Sequence, residues 1–465
     1  MINVRIICGD RELNTTVMPG TRLSDLPVFR SLPVDFSCGG LGKCGKCTAL
    51  INGKSQRICQ YIINSDTSVE LPDGGIISLT SKSGDNTEGG EYALALDIGT
   101  TTLVLALFSK NNKRIIEQII EENPQRVYGA DVLSRISYCT ENGTGELNRI
   151  LIEKINSMIK RILSDNSIKR VKETFIAGNT TMLHILRSLD CSSLGVYPFK
   201  PKSLDGLDTD ACNTGIDGTD RTIILPCISA FAGADLVADI CATGLPDGDD
   251  YYLIADLGTN AETALCSRSR ILCTSAAAGP CFEGAHILCG MGARNGAICS
   301  YYHDGSFDVI GKTPPAGICG TGLIDIICVL LKKGIIDRTG VLKNGEFRIT
   351  ENIKLVQEDV RQYQLAKAAV RSAIESLVSV AGIDYSRIKK FYVSGGFAGK
   401  ININSCAATG LIPRELVNAF TPLGEGCITG LMNSVKAGFY AEKSKYIELS
   451  TRNDFCDSFT KNINF

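Results

Sequence analysis

From Tyr92 onward the chain alternates apolar strands with amphipathic helices. Leu147, Ile150, Leu151, Ile155, Met158, Ile159 and Ile162 recur at helical spacing, as do Val370, Ala373, Ile374, Leu377 and Ala381, so each series predicts a helix with one buried face. Two other stretches, ALALDIGTTTLVLAL at 93–107 and YLIADLGTNAETAL at 252–265, are each an apolar strand that ends in Asp-x-Gly-Thr and leads into a second strand. Two α/β lobes built on the same plan are expected. Stretches rich in small residues at 228–240 and 426–438 read as closely packed helices.

Residues 1–80 follow another grammar. NVRIIC, the Gly9-Asp10 turn, LNTTVMP and then TALI closed by Asn52-Gly53 predict short strands joined by tight hairpins, hence a small and mostly β module. Residues 81–91, SKSGDNTEGGE, contain no apolar side chain and read as a linker that lets the first module swing. The expected organisation is 1–80, a linker at 81–91, one lobe over 92–250 and a second over 251–465.

At 465 residues the chain is too long for a single core. Lys and Arg number 48 against 50 for Asp and Glu, with no long basic run, so the electrostatic footprint of a nucleic-acid binder is missing. MINVRIICGD has neither a basic leader nor a long apolar core, and DIICVLLKKG is too short and polar to cross a bilayer. A soluble cytoplasmic protein without a membrane partner is expected. Most of the 20 cysteines stand singly among apolar neighbours, where cysteine behaves as a small hydrophobe, and reduced thiols are expected.

Four cysteines break that rule. Cys38, Cys44, Cys47 and Cys59 fall within 22 residues at spacing C-x5-C-x2-C-x11-C, one residue away from the plant-type iron-sulfur pattern. Gly39, Gly40, Gly42 and Gly45 would let the loop wrap a cluster and turn backbone N–H groups toward its sulfurs. A zinc site with four cysteine ligands is the rival reading, although zinc more often uses two separated knuckles. Three cysteines in one glycine-rich loop favour a 2Fe-2S cluster.

Asp97 and Asp256 each end a strand before a Gly-Thr turn. Such a turn offers backbone N–H groups to phosphate while the carboxylate holds hydrated Mg2+. Gly99, Thr100, Thr101 and Thr102 form the first candidate phosphate site, and Gly258, Thr259 and Asn260 the second. In FYVSGGFAG, Gly395 and Gly396 follow an apolar strand and would let a purine and its ribose approach the backbone. The three histidines form no nucleophile constellation: His184 reads as a packed or capping residue, and His286 and Glu283 lie in a glycine-bounded loop that either faces a partner or is plain surface.

Taken in order, these segments resemble the phosphate-1, phosphate-2 and adenosine segments of the ATPase superfamily of actin, sugar kinases and heat-shock chaperones, with ribonuclease H-like lobes. The N-terminal module resembles the β-grasp ferredoxin-like electron carriers. An N-terminal 2Fe-2S domain joined to this ATPase is the arrangement of the reductive activators of corrinoid proteins, and AGNTTMLHIL, AAAGPCFEGAHI and GICGTGLID are similar to segments of that family. The resemblance implies an enzyme that uses ATP and Mg2+ to pass one electron from the cluster to a corrinoid protein, Co(II) becoming Co(I). It also implies an external low-potential electron donor, and leaves a homodimer open. In this scheme Asp97 and Asp256 organise Mg2+ and the attacking water. The chain departs from better-known relatives in placing only the eleven residues 81–91 where they carry a linker and a middle domain, and in having Gly424-Glu425 where Gly-Asn is expected. Alternative readings are an activator of 2-hydroxyacyl-CoA dehydratases, a redox-responsive nucleotide-binding sensor, and, less well matched to a fused ferredoxin, a small-molecule kinase.

Overall fold

The computed structural model describes residues 1–8, 11–30, 32, 34, 47–71, 79–82, 90–129, 131–395 and 400–465. Near the N-terminus five strands form a sheet in the order Arg11–Val17, Ile2–Cys8, Thr67–Leu71, Thr48–Ile51, Lys54–Arg57. The strand Ile2–Cys8 runs antiparallel to Arg11–Val17 and parallel to Thr67–Leu71. Its alternation turns Ile2, Val4 and Ile6 inward, where Leu23, Phe29, Ile51, Ile58, Ile63 and Val69 complete a separate small core. Asn52 and Gly53 both have positive φ, 51° and 73°, as the predicted two-residue hairpin requires.

By its contacts the chain divides into two units, Met1–Ser203 with Asp208–Ile223, and Leu204–Leu207 with Ile224–Phe465. The first contains a seven-stranded sheet in the order Leu207–Asp210, Thr219–Ile224, Val171–Gly178, Tyr92–Ile98, Thr102–Ser109, Ile115–Glu122, Leu79–Lys82. Ser81 and Lys82, expected at the start of the linker, therefore continue a strand paired with Ile115–Glu122. Ladder hydrogen bonds outweigh their polarity at this sheet edge.

The second unit contains a six-stranded sheet ordered Phe420–Gly424, Ile388–Ser394, Tyr251–Leu257, Asn260–Cys266, Ile271–Ala277, Ser444–Tyr446. In both sheets the Asp-bearing strand lies between an antiparallel neighbour that follows it in sequence and a parallel one that comes later. The repeated plan predicted from sequence is present. These central strands are covered on both faces, which is why Ala93 to Leu96 and Leu253 to Ala255 read as unbroken apolar runs.

The helix Gly145–Asp165 buries Leu147, Leu151, Ile155, Met158, Ile159 and Ile162 on one face. Each such side chain contributes at most roughly 1.5–3 kcal/mol. The helix Gln357–Ala381 does the same with Val370, Ala373, Ile374 and Leu377 and ends at Gly382, whose φ of 66° suits the left-handed cap.

Two helix boundaries differ from expectation. Residues 228–232 form a turn closed by Ile228 and Ser229 N–H groups on the Ala232 carbonyl, and the helix is Ala234–Thr243, starting after Gly233. The second, Gly426–Met432, stops at Asn433 and gives way to a short 3-10 turn before the helix Ala437–Lys443. The two small-residue helices cross so closely that a Cβ on Gly430 would lie 1.7 Å from the Ala238 carbonyl oxygen.

Candidate functional site

In the first unit Asp97 lies near the end of the strand Tyr92–Ile98, with Val104 and Ala177 as ladder neighbours. The chain then turns sharply at Gly99, where a Cβ would meet the Thr102 carbonyl oxygen at 2.8 Å, so the turn takes no larger residue. Three polar side chains hold the turn from outside it. Asn123 Nδ2 donates to the Gly99 carbonyl at 2.8 Å, and its own N–H bonds the Thr101 carbonyl at 2.9 Å. Asn179 caps the helix Thr180–Leu186 through its Oδ1 and donates from Nδ2 to Thr100 Oγ1 at 3.0 Å. Arg135, fully buried, donates from Nη2 to the Thr100 carbonyl at 2.5 Å. The predicted Asp97, Gly99, Thr100, Thr101 and Thr102 thus form one neighbourhood, and Asn123, Arg135 and Asn179 are members that sequence reasoning missed.

In the second unit the strand Tyr251–Leu257 delivers Asp256 to an equivalent turn, in which the Gly258 N–H bonds the Asn260 carbonyl at 3.2 Å. Thr259 donates from both its N–H and its Oγ1 to Glu283 Oε1, at 2.9 and 2.8 Å. Glu283, whose role the sequence left undecided, is therefore a brace of the second turn. The predicted Gly395 belongs here too: its φ is 103°, and a Cβ on it would stand 2.8 Å from the Leu257 carbonyl oxygen and 2.9 Å from Asp256 Oδ1. Just before it, Ser394 Oγ donates to Asp239 Oδ1 at 3.0 Å. Gly396 lies outside the described residues.

Carboxylates dominate this turn. Glu262 faces Asp256 across the ladder, is buried, and leaves its Oε2 without a hydrogen-bond partner among the described residues. Burial first, then the charges of Asp235 and Asp256, hold Glu262 well above the carboxylate range. Asp256 keeps some accessible surface but is densely surrounded, and burial together with Asp235, Glu283 and Glu425 pushes its pKa up to about 7. Asp235 is raised by burial as well. Burial and mutual repulsion thus disfavour full ionisation of this set. Among the described residues no His, Cys, Asp and Glu side chains converge closely enough to hold a metal ion by themselves, so a cation here would keep water or phosphate ligands, as Mg2+ prefers.

Of the four predicted cluster ligands, Cys38 and Cys44 lie outside the described residues. Cys47 and Cys59 are buried in the small N-terminal core with their sulfurs 3.2 Å apart. His184 is packed as expected: its Nδ1 contacts the Thr180 carbonyl at 2.8 Å and its Nε2 accepts the Lys202 N–H at 3.1 Å.

Residues 250–465 match the family described as the C-terminal domain of RACo, the ASKHA domain, and residues 92–247 match the RACo middle region. The middle region is therefore present, as the stretch expected to be the first lobe, and the departure inferred from sequence is withdrawn. The chain is 31% identical over 422 residues to the corrinoid activation enzyme RamQ of Eubacterium limosum, covering 80% of this chain and 70% of that protein. It is 25% identical over 358 residues to the Co(II) methylated amine-specific corrinoid protein reductase of Methanosarcina barkeri, covering 69% of this chain and 66% of that protein. Among solved structures, a reductive activator for a corrinoid iron-sulfur protein superposes with a TM-score of 0.73 at 22% identity, over 100% of this chain and 98% of that one.

Proposed function

Since the chain belongs to the family of reductive activators of corrinoid proteins, we propose that it couples ATP turnover to the one-electron reduction of a corrinoid protein, returning Co(II) to Co(I). The balance is one electron from an external reductant to cobalt, with ATP and water giving ADP and phosphate. The observation that carries this reading is the pair of Asp-x-Gly-Thr turns on matched sheets, in one chain with the buried Cys47 and Cys59 thiols.

A 2Fe-2S group on Cys38, Cys44, Cys47 and Cys59 supplies a one-electron store, and the order of the N-terminal strands supports a ferredoxin-like module around it. Gly99 to Thr102 and Gly258 to Asn260 bind the phosphates through backbone N–H groups and hydroxyls. Asp97 and Asp256 hold hydrated Mg2+ and orient the water that attacks, and Gly395 and, on the sequence reading, Gly396 receive the adenosine. Energy coupling is of the right size. An uphill gap of roughly 200 mV costs about 4.6 kcal/mol for one electron, and reversing a two-state protein from 1:99 to 99:1 takes about 5.5 kcal/mol.

The test is anaerobic spectrophotometry of Co(I) formation at a fixed reductant potential. With wild type, the Co(I) yield is expected to rise with MgATP beyond what the potential alone allows. An equal yield without nucleotide would favour the sensor reading, because a catalyst moves no equilibrium. Iron and sulfide analysis of anaerobically purified protein is expected to give about two of each, and zinc in their place would remove the cluster assignment.

A further inference from the structure

Arg135 lies on the helix Val132–Asn142, whose buried face is completed by Ile136 and Cys139. Its guanidinium is fully buried, and every hydrogen bond it makes among the described residues goes to a neutral group: Nη2 to the Thr100 carbonyl, Nε to the Gly129 carbonyl at 3.0 Å, and Nη1 to Gln125 Oε1 at 3.1 Å and Met182 Sδ at 3.1 Å. Among the described residues it makes no ion pair. The ionisable side chains that reach it are Arg126, itself paired with Glu122 at 2.8 Å, Asp131, whose carboxylate caps the same helix through the Ser134 N–H, and Cys139, a thiol that the Cys191 hydrogen bond first and Arg135 after it hold below its ordinary value. Burial, with Arg126 adding to it, pushes the pKa of Arg135 down to about 9.

A buried cation without a counter-charge carries a desolvation cost of several kcal/mol, and proteins seldom keep one that a packed apolar residue could replace. The carbonyl contacts alone do not require Arg, since neutral donors satisfy carbonyls elsewhere around this turn, as Asn123 does at Gly99. What Arg adds is charge, placed one residue contact away from the Thr100 turn. In a low-dielectric setting that charge acts strongly on any anion bound there.

We propose that Arg135 is a positioning residue of the first phosphate turn: its guanidinium, which has no ion-pair partner among the described residues, takes the nucleotide's phosphates as counter-charge and, through the Thr100 carbonyl it binds, holds the turn whose N–H groups face them. The inference rests on the nucleotide reading of this turn and adds a determinant that favours phosphorylated over phosphate-free ligands. Arg135 need not touch the nucleotide; it acts through Thr100 and through its field.

The test compares MgATP with adenosine, which carries no phosphate, by equilibrium dialysis on anaerobically prepared full-length protein. In Arg135→Met, ATP affinity is expected to fall at least tenfold while adenosine affinity changes less than twofold, and Arg135→Lys, which keeps the charge, is expected to restore the ATP preference to within threefold of wild type. Equal losses for the two ligands, or unchanged ATP affinity, would overturn the role of Arg135. If the Met variant does not fold, Arg135→Gln, which keeps a donor for the Thr100 carbonyl, takes its place under the same criterion. Failure of both neutral variants to fold would overturn the proposal in favour of a purely structural residue. A wild-type protein that bound neither ligand would instead remove the nucleotide reading beneath it.

Discussion

At the first Asp-x-Gly-Thr turn, Thr100 is held by Asn179 and by a buried arginine, while Asn123 grips Gly99. At the second, Thr259 is held by Glu283, and Asp235, Glu283 and Glu425 crowd Asp256 with further carboxyl groups. The two turns share a sequence text and a strand pairing, yet a positive side chain braces the first and a negative one braces the second. A repeated backbone plan can thus be kept while the side chains that brace it diverge in charge.

The largest effect that would break this contrast is on turnover. Asp256→Asn is expected to lower MgATP hydrolysis by roughly a hundredfold, since the carboxylate acts through metal and water, with the visible iron spectrum unchanged. Hydrolysis at the wild-type rate would mean that the negative turn serves no cation.

Next in size is a dependence of stability on pH. Asp256 titrates near 7 in the fold and near the ordinary Asp value when unfolded, so the folded state holds its proton more tightly. That contribution is complete below about pH 4 and is lost as pH rises through about 7. Metal-free protein is expected to lose on the order of 5 °C of melting temperature between pH 5 and 8 through this group. Asp256→Asn should flatten the slope, and MgATP should suppress it in wild type. A slope identical in wild type and variant would assign it to other groups.

A smaller effect sharpens the picture of the brace. Glu283→Gln keeps an acceptor for Thr259 but removes a charge that raises Asp256. The acid limb of the kcat profile is expected to move to lower pH by less than about one unit; movement to higher pH would contradict the electrostatic account. The smallest effect belongs to the positive turn. Asn179→Ser retains a helix cap and loses the reach to Thr100, so KM for ATP is expected to rise about threefold with kcat little changed. A larger change in kcat than in KM would place Asn179 in the chemistry instead.

Much of this was legible before any coordinates. Asp-x-Gly-Thr after an apolar run marks a central strand and its turn, and the spacing from Leu147 to Ile162 marks a helix, because burial on one or both faces writes directly into the apolar pattern. What surrounds the turns was not legible. Glu262 stands in NAETAL and Arg135 in VLSRIS, each a single charge on a face that is otherwise buried. That mismatch is a signal, but it says only that the charge has a task and not which turn it serves, since its partners lie many residues away. Helix starts were missed at 228–233 because small residues suit a tight turn as readily as a helix. Cys38, Cys44 and Gly396 stand as readings of sequence alone.

The crossing of Ala234–Thr243 with Gly426–Met432 bears on how the protein could be engineered for heat tolerance. Replacing helical glycine by alanine is ordinarily a safe way to stiffen an unfolded chain and raise stability. Gly426 and Gly430, one turn apart, invert that rule: a methyl at 426 would stand 2.3 Å from Asp239 Oδ1, and one at 430 would enter the Ala238 carbonyl. Since Asp239 accepts from Ser394, immediately before Gly395, either methyl would push on the turn that Gly395 makes against Asp256. A thermostabilising screen that rewards helix propensity would therefore select against the fold at these two positions, and should hold both fixed while it varies the rest of the helix surface.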